Sequence, residues 1–215
     1  VAVKARNAIV IAPHPFAAKC CIETTRIMAQ AAVDNGAPPG LVSCMQNISL
    51  DGTQALMRHK YTALILATGG TPMVRAAHST GKPAIGVGPG NVPAYVDRSS
   101  DLEKAARYIV ASKAFDCSTI CATEQSVVAD KPIAGQLKAL MEREGAYFTT
   151  PQETDRLRKL LFYPDGTMNT AVVGKPADYV AAMAGFDIPR GTRILVTGIQ
   201  RTGKEEPLSR EKLTT

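Results

Sequence analysis

The sequence predicts an α/β protein built on parallel strands, and three observations carry that reading. Short β-branched runs alternate with stretches of helical periodicity up to about Gly90, the pattern of strands covered by crossover helices. The 17 glycines and 14 prolines are spread between apolar runs, where they act as turn punctuation and not as low-complexity tracts. With 45% apolar residues in 215, the chain is long enough for one large core or two modest ones.

Taken in order, Asn7–Ala12 is a β-branched run closed by Pro13-His14-Pro15, a strand ending in a loop. From Ala18, apolar or small residues at Cys21, Ile22, Thr25, Met28, Ala29, Ala32 and Val33 mark one helical face, and Asn35-Gly36 stops it. Leu41–Met45 is a second strand, Asp51–Arg58 a short helix, Ala63–Ala67 a third strand, Thr71–Ser79 a helix and Pro83–Val87 a fourth strand. A domain boundary falls near Gly90. Beyond it, Ser100 and Glu103 have capping-box spacing and open a helix to about Lys113. Ser126–Ala129 is then a strand, Ile133–Glu144 and Thr154–Leu161 are helices, and Arg193–Val196 is a late strand.

A formal charge of +6 raises the question of nucleic acid, but lysine and arginine are interleaved with acidic residues and no basic stripe with aromatics is present. Excess positive charge also suits a polyphosphorylated cofactor. The longest apolar stretches break within about ten residues, short of the roughly 20 that cross a bilayer, so no membrane partner is expected. No leader pattern is read at Val1. Five cysteines and three histidines lack the spacing of a metal site, and free thiols in a reducing cytoplasm are the simplest reading.

Several residues are candidates for chemistry. Thr68-Gly69-Gly70-Thr71 joins a strand to a helix, where backbone N–H groups face a phosphate or sugar, or merely make a tight turn. Gly86-Val87-Gly88-Pro89-Gly90 has glycines at one, three and five and so departs from the dinucleotide fingerprint. It is either backbone kept bare for a close ligand or a bend between domains. His14 meets a ribose or adenine, or is a solvated loop residue. Cys121 ends a polar loop and is either an exposed nucleophile or a small buried hydrophobe. Cys117 is a resolving thiol or a packing residue. Glu211 lies in Ser209-Arg210-Glu211-Lys212, by itself a solvated charge run.

Gly86-Val-Gly-Pro-Gly-Asn-Val-Pro-Ala-Tyr-Val-Asp97, followed by Phe115-Asp-Cys-Ser-Thr-Ile-Cys-Ala-Thr-Glu-Gln125, closely resembles the CoA-acylating aldehyde dehydrogenases. These are the enzymes of ethanolamine and propanediol use and the aldehyde half of bifunctional aldehyde-alcohol dehydrogenases. Arg6–Pro15, Ile65–Gly70, Glu144–Phe148, Asp165–Asn169 and Pro207–Leu213 extend the resemblance over essentially the whole chain.

The resemblance implies a Rossmann-like NAD-binding part over residues 1–90 and a catalytic α/β part over 91–215, facing each other across a cleft. It places the catalytic nucleophile at Cys121 and the NAD-binding turn at Thr68, Gly69 and Gly70, with Met73 in the following helix and Val87 and Gly88 nearby. Pro13, His14 and Pro15 fall on the loop beside the adenosine, and Glu211 on the glutamate that holds the nicotinamide ribose. The implied reaction joins a small aldehyde, NAD and coenzyme A, with no metal, in a cytoplasmic homo-oligomer or inside a bacterial microcompartment.

Hydrolytic relatives have a Glu-Leu-Gly-Gly stretch whose glutamate activates water. Here Val87-Gly-Pro-Gly90 offers no base, which suits acyl transfer to CoA. A hydrolytic semialdehyde or aldehyde dehydrogenase, and a catalytically silent piece retaining nucleotide binding or an assembly surface, are the alternatives. The family has Asn-Gly where this chain has Cys117-Ser118. The resemblance also implies that the chain begins inside the cofactor part, downstream of an oxyanion-holding asparagine, and stops at Thr215 short of the family's end. Both parts are therefore expected to expose apolar surface.

Overall fold

Residues 1–203 and 205–215 are described by a computed structural model, and they divide into two units, Val1–Gly88 and Pro89–Thr215. The first unit runs β1 (Ile9–Ile11), α1 (Ala18–Asp34), β2 (Val42–Cys44), α2 (Leu50–Arg58), β3 (Ile65–Thr68), α3 (Thr71–His78) and β4 (Ala84–Val87). A helix between successive strands returns the chain to the same end of the sheet, so the pairs are parallel. β1 pairs with β2, Ile9 opposite Val42, and β3 with β4, Ile65 opposite Ala84 and Thr68 opposite Val87. α1 stops at Asn35 and Gly36, the glycine at φ +87° where a side chain would strain the turn. Ser49 caps α2, its hydroxyl accepting from the Gly52 amide at 3.0 Å.

Alternation along β3 sends Ile65 and Ala67 inward, where they join Met57 and Ala77 in the core of this unit, with Met73 packed against it. Leu66, Ile85 and Val87 point the other way and are more than half exposed. Parallel strands are ordinarily apolar on both faces. The outward face of the β3–β4 ladder is therefore apolar surface open to solvent.

Gly86 has a role that neither reading of the glycine-rich run anticipated. A Cβ there would lie 2.5 Å from Val74 Cγ1 and 2.8 Å from His78 Nε2, so the missing side chain lets α3 pack directly on β4. Gly86→Ala is expected to cost about 1–3 kcal/mol through overpacking, read as a lower denaturation midpoint of this unit. An unchanged midpoint would show that α3 moves aside freely. At Gly88 and Gly90 a Cβ would meet nothing within 4 Å.

The second unit runs β5 (Pro93–Val96), α4 (Leu102–Ala114), β6 (Ser126–Ala129), α5 (Ala134–Arg143), β7 (Ala146–Phe148), α6 (Pro151–Leu161), α7 (Ala177–Met183) and β8 (Ile194–Val196). β5 pairs in parallel with β6, and β7 with β8. One core gathers Val96, Ala106, Ile109, Val110, Leu137, Met141 and Ile194, and a second gathers Leu157, Leu161, Phe162, Val172, Val180 and Leu208.

Sequence expectations need correcting at several elements. β5, β7 and α7 were not expected, and α6 starts at Pro151, three residues before the expected Thr154. The capping box expected at Ser100 and Glu103 does not form; Asp101 caps α4 instead, accepting from the Lys104 amide at 3.0 Å. The capping box of this unit opens α6, where Thr150 N–H donates to Glu153 Oε2 at 2.7 Å and Glu153 N–H to Thr150 Oγ1 at 3.3 Å.

Candidate functional site

The loop carrying Cys121 leaves α4 at Ala114 and turns through a 3-10 segment, Phe115–Ser118. Asp116, Cys117 and Ser118 have φ of 48°, 48° and 60°, the left-handed region in which side chains cost roughly 1–2 kcal/mol each. Asparagine and glycine are the residues most at ease there, and this chain has Cys117 and Ser118 instead. Cys121 itself is an exposed free thiol, and Cys117 is half-buried.

Beneath this loop lies a polar cluster that no motif pointed to. Lys113 is 7% exposed, and its Nζ donates to Ser118 Oγ at 2.7 Å, Gln125 Oε1 at 3.1 Å and the Lys212 carbonyl at 2.8 Å. Ser118 Oγ also bonds Thr123 Oγ1 at 2.9 Å, and Gln125 Oε1 also accepts from the Lys212 amide at 3.0 Å. Burial, together with the nearby Lys212 charge, pushes the Lys113 pKa down to about 7 against the opposing pull of Glu211.

The segment containing Glu211 is half-buried over Ser209–Leu213, which corrects its reading as a solvated charge run. Lys212 Nζ turns inward to donate to the Leu208 carbonyl at 2.9 Å and the Arg210 carbonyl at 2.6 Å, and burial lowers its pKa to about 8. Upstream, Asn91 Nδ2 donates to the Ser209 carbonyl, and Asn91 Oδ1 accepts from Ser126 Oγ at 2.9 Å. Cys121 and Glu211 are thus carried by two segments that share the Lys113 cluster.

In the first unit, Thr68 ends β3 and Gly70 precedes α3, with Thr68, Gly69 and Gly70 all exposed. Gly69 takes φ +145°, and its N–H donates to the Val87 carbonyl at 3.2 Å, which brings this turn beside Val87 and Gly88. The first turn of α3 has no acidic residue, and Arg75 and His78 lie in its last turn, so its N-terminal end favours an anion. Met73 faces the core of this unit. Pro13, His14 and Pro15 follow β1, on the other ladder; Pro13 is buried, while His14 is exposed with its Nδ1 accepting from the Phe16 amide at 3.3 Å. Among the described residues no group of three His, Cys, Asp or Glu is placed to hold a metal, and no helix is long and apolar enough to cross a membrane.

The sequence profile of the aldehyde dehydrogenase family matches residues 1–155. The chain belongs to this family. An aldehyde-alcohol dehydrogenase of Streptococcus pneumoniae is 43% identical over all of this chain, which spans 25% of that relative's length. An acetylating aldehyde dehydrogenase of Geobacillus thermoglucosidasius superposes with a TM-score of 0.91 at 47% identity, over 99% of this chain and 47% of that one. A Rhodopseudomonas palustris propionaldehyde dehydrogenase, solved with bound CoA and an acylated cysteine, matches with a TM-score of 0.83 at 32% identity, over 97% of this chain and 47% of its own. This aldehyde dehydrogenase chain therefore spans between a quarter and a half of the relatives it matches.

Proposed function

We propose that this aldehyde dehydrogenase chain carries the nucleophile and part of the NAD site of a CoA-acylating enzyme, which interconverts an aldehyde and an acyl-CoA through a thioester on Cys121. The observation that carries the reading is the exposed Cys121 thiol at the end of a loop whose base is buried and hydrogen-bonded. The acylated cysteine of the Rhodopseudomonas palustris relative supports it.

In the oxidative direction the Cys121 thiolate attacks the aldehyde carbon and forms a thiohemiacetal, whose oxygen is held by the Cys121 backbone N–H. When bound, NAD supplies the acceptor for the hydride that leaves this carbon, and the thioester remains on Cys121. The CoA thiol then attacks the thioester carbonyl, its proton passes to solvent, and the Cys121 thiolate departs. The reverse sequence reduces an acyl-CoA.

The chain's own residues fit a dinucleotide. Gly69 and Gly70 present bare backbone ahead of the α3 N-terminus, and a Cβ on Gly70 would meet only Pro72 within 4 Å. Thr68, Gly69 and Gly70 take the phosphate or ribose side, Met73 supports the turn from the core, and Val87 and Gly88 border it. Pro13, His14 and Pro15 are assigned to the adenosine, and Glu211 to the nicotinamide ribose. The catalytic part is assigned to the unit that carries Cys121 and the cofactor part to the unit ending at Gly88. Homo-oligomer assembly, cytoplasmic residence or packaging in a microcompartment belong to the same reading.

Val87-Gly88-Pro89-Gly90 carries no carboxylate to activate water. NADH formation from an aldehyde is therefore expected to rise at least tenfold on adding CoA. Equal rates without CoA, with free acid as product, would assign the hydrolytic reaction instead.

A further inference from the structure

We propose that Lys113 is a positioning residue that ties the loop carrying Cys121 to the segment carrying Glu211, so that nucleophile and cofactor-side carboxylate are set as one piece. The inference rests on the roles just proposed for Cys121 and Glu211.

In its protonated form Lys113 has three N–H donors, and it directs them to three points on two stretches of chain. One goes to Ser118, three residues before Cys121; one to Gln125, four residues after it; and one to the carbonyl of Lys212, adjacent to Glu211. Gln125 Oε1 closes the figure by accepting from the Lys212 amide as well. Ser118, Thr123 and Gln125 are all buried, so water does not substitute for these bonds.

Packing alone does not account for a lysine here. Ala106, Ile109 and Val110 line the buried face of α4, and Lys113 continues that face at helical spacing. An apolar side chain would continue it without burying a charge, which is costly unless paired and hydrogen-bonded. Asp116, Cys117 and Ser118, all at positive φ, also need surroundings that over-determine them. The bond from Lys113 to the fully buried Ser118 hydroxyl supplies part of that constraint from below.

Hydrogen exchange compared among the unaltered protein, Lys113→Met and Lys113→Arg tests the link. In Lys113→Met, amides of residues 115–121 and 209–213 are expected to lose protection together, by at least tenfold, while those of α5 keep theirs. Lys113→Arg, which retains donors, should recover most of the loss. In acyl-CoA reduction, Lys113→Met should raise the KM for the nicotinamide cofactor about fivefold and leave that for acyl-CoA unchanged, whereas mere loss of folded protein lowers kcat alone.

If Lys113→Met does not fold, Gln125→Leu removes the acceptor shared by Lys113 and Lys212 and is expected to give the same paired loss. Independent responses of the two segments, a loss spread evenly over α5, or Lys113→Arg behaving like Lys113→Met would overturn the inference. The exchange result stands whether or not the wild-type thiol acylates; a missing acyl adduct on Cys121 would instead defeat the functional reading.

Discussion

Cys121→Ala is expected to bring acyl-enzyme formation to background and to lower turnover by roughly a million-fold, the scale seen when a nucleophile is removed from an enzyme whose catalytic groups act together. The reason is chemical: the alanine side chain has no electron pair with which to form the thioester. Nucleotide affinity should change little, because the groups assigned to the cofactor lie at Thr68–Gly70, Pro13–Pro15 and Glu211. Intact-mass and peptide mapping after incubation with acyl-CoA read the first expectation, and nucleotide titration the second. Of the five free thiols, Cys20 is also exposed and Cys117 lies only four residues away, which makes them the internal controls. An adduct persisting at Cys117 in Cys121→Ala would move the nucleophile there.

The elements legible in the sequence are those with a helical period or a β-branched run to show. α1 displays its apolar face over 17 residues and ends at a glycine with positive φ, so both its body and its stop were readable. β7 is Ala-Tyr-Phe, with no β-branched residue, and β5 is Pro-Ala-Tyr-Val, with one at its end, whereas the equally short β1 and β8 read Ile-Val-Ile and Ile-Leu-Val. At α4 two caps compete one residue apart. Ser100 with Glu103 has the better pattern, but Asp101 is the residue that folds into the cap. α7 buries Ala177, Val180 and Ala181 at helical spacing, a signal present in the sequence but faint because alanine is small.

The candidate site divides in the same way. Cys121 is one cysteine among five, and only the motif around it singles it out. The Gly69-Gly70 turn is visible because a strand precedes it and a helix follows. Lys113 is not visible, since a lysine in the last turn of a helix reads as a favourable partner for the helix dipole. One of the groups that cover it is the Lys212 carbonyl, 99 residues away. Gly86 is similar: its need for a bare backbone comes from Val74 and His78 on the helix that crosses it.

Arg158→Met is expected to destabilise the second unit by about 2–4 kcal/mol, toward the lower end of the cost of stranding one partner of a buried ion pair. Arg158 donates from Nε to Glu206 Oε1 at 3.0 Å and from Nη2 to Glu206 Oε2 at 2.9 Å, and the Glu206 side chain is 12% exposed against 31% for the arginine. Arg158 also pairs with Asp155 one turn back, but that carboxylate is mostly in solvent and adds little. The hydrogen bonds from Arg158 hold the Glu206 carboxyl below its ordinary pKa in spite of burial, with the Leu208 amide helping. A carboxylate whose folded pKa is depressed stabilises fully above its unfolded value of about 4.3 and loses that contribution as pH falls through the folded value. The stability gap between wild type and Arg158→Met should therefore be complete at pH 6 and narrow as pH falls below about 4. Glu206→Gln, which keeps an acceptor without the charge, should show less pH dependence than wild type over that range. Glu206 also caps the turn Pro207–Ser209 that leads into Glu211, and Leu208 in that turn is buried against Leu157 and Leu161. Loss of the pair should consequently weaken nicotinamide-cofactor binding along with stability. Denaturant titrations at stepped pH measure the gap, and one that stays constant from pH 6 to pH 3 would show that Arg158 stabilises through packing of its stem and not through Glu206.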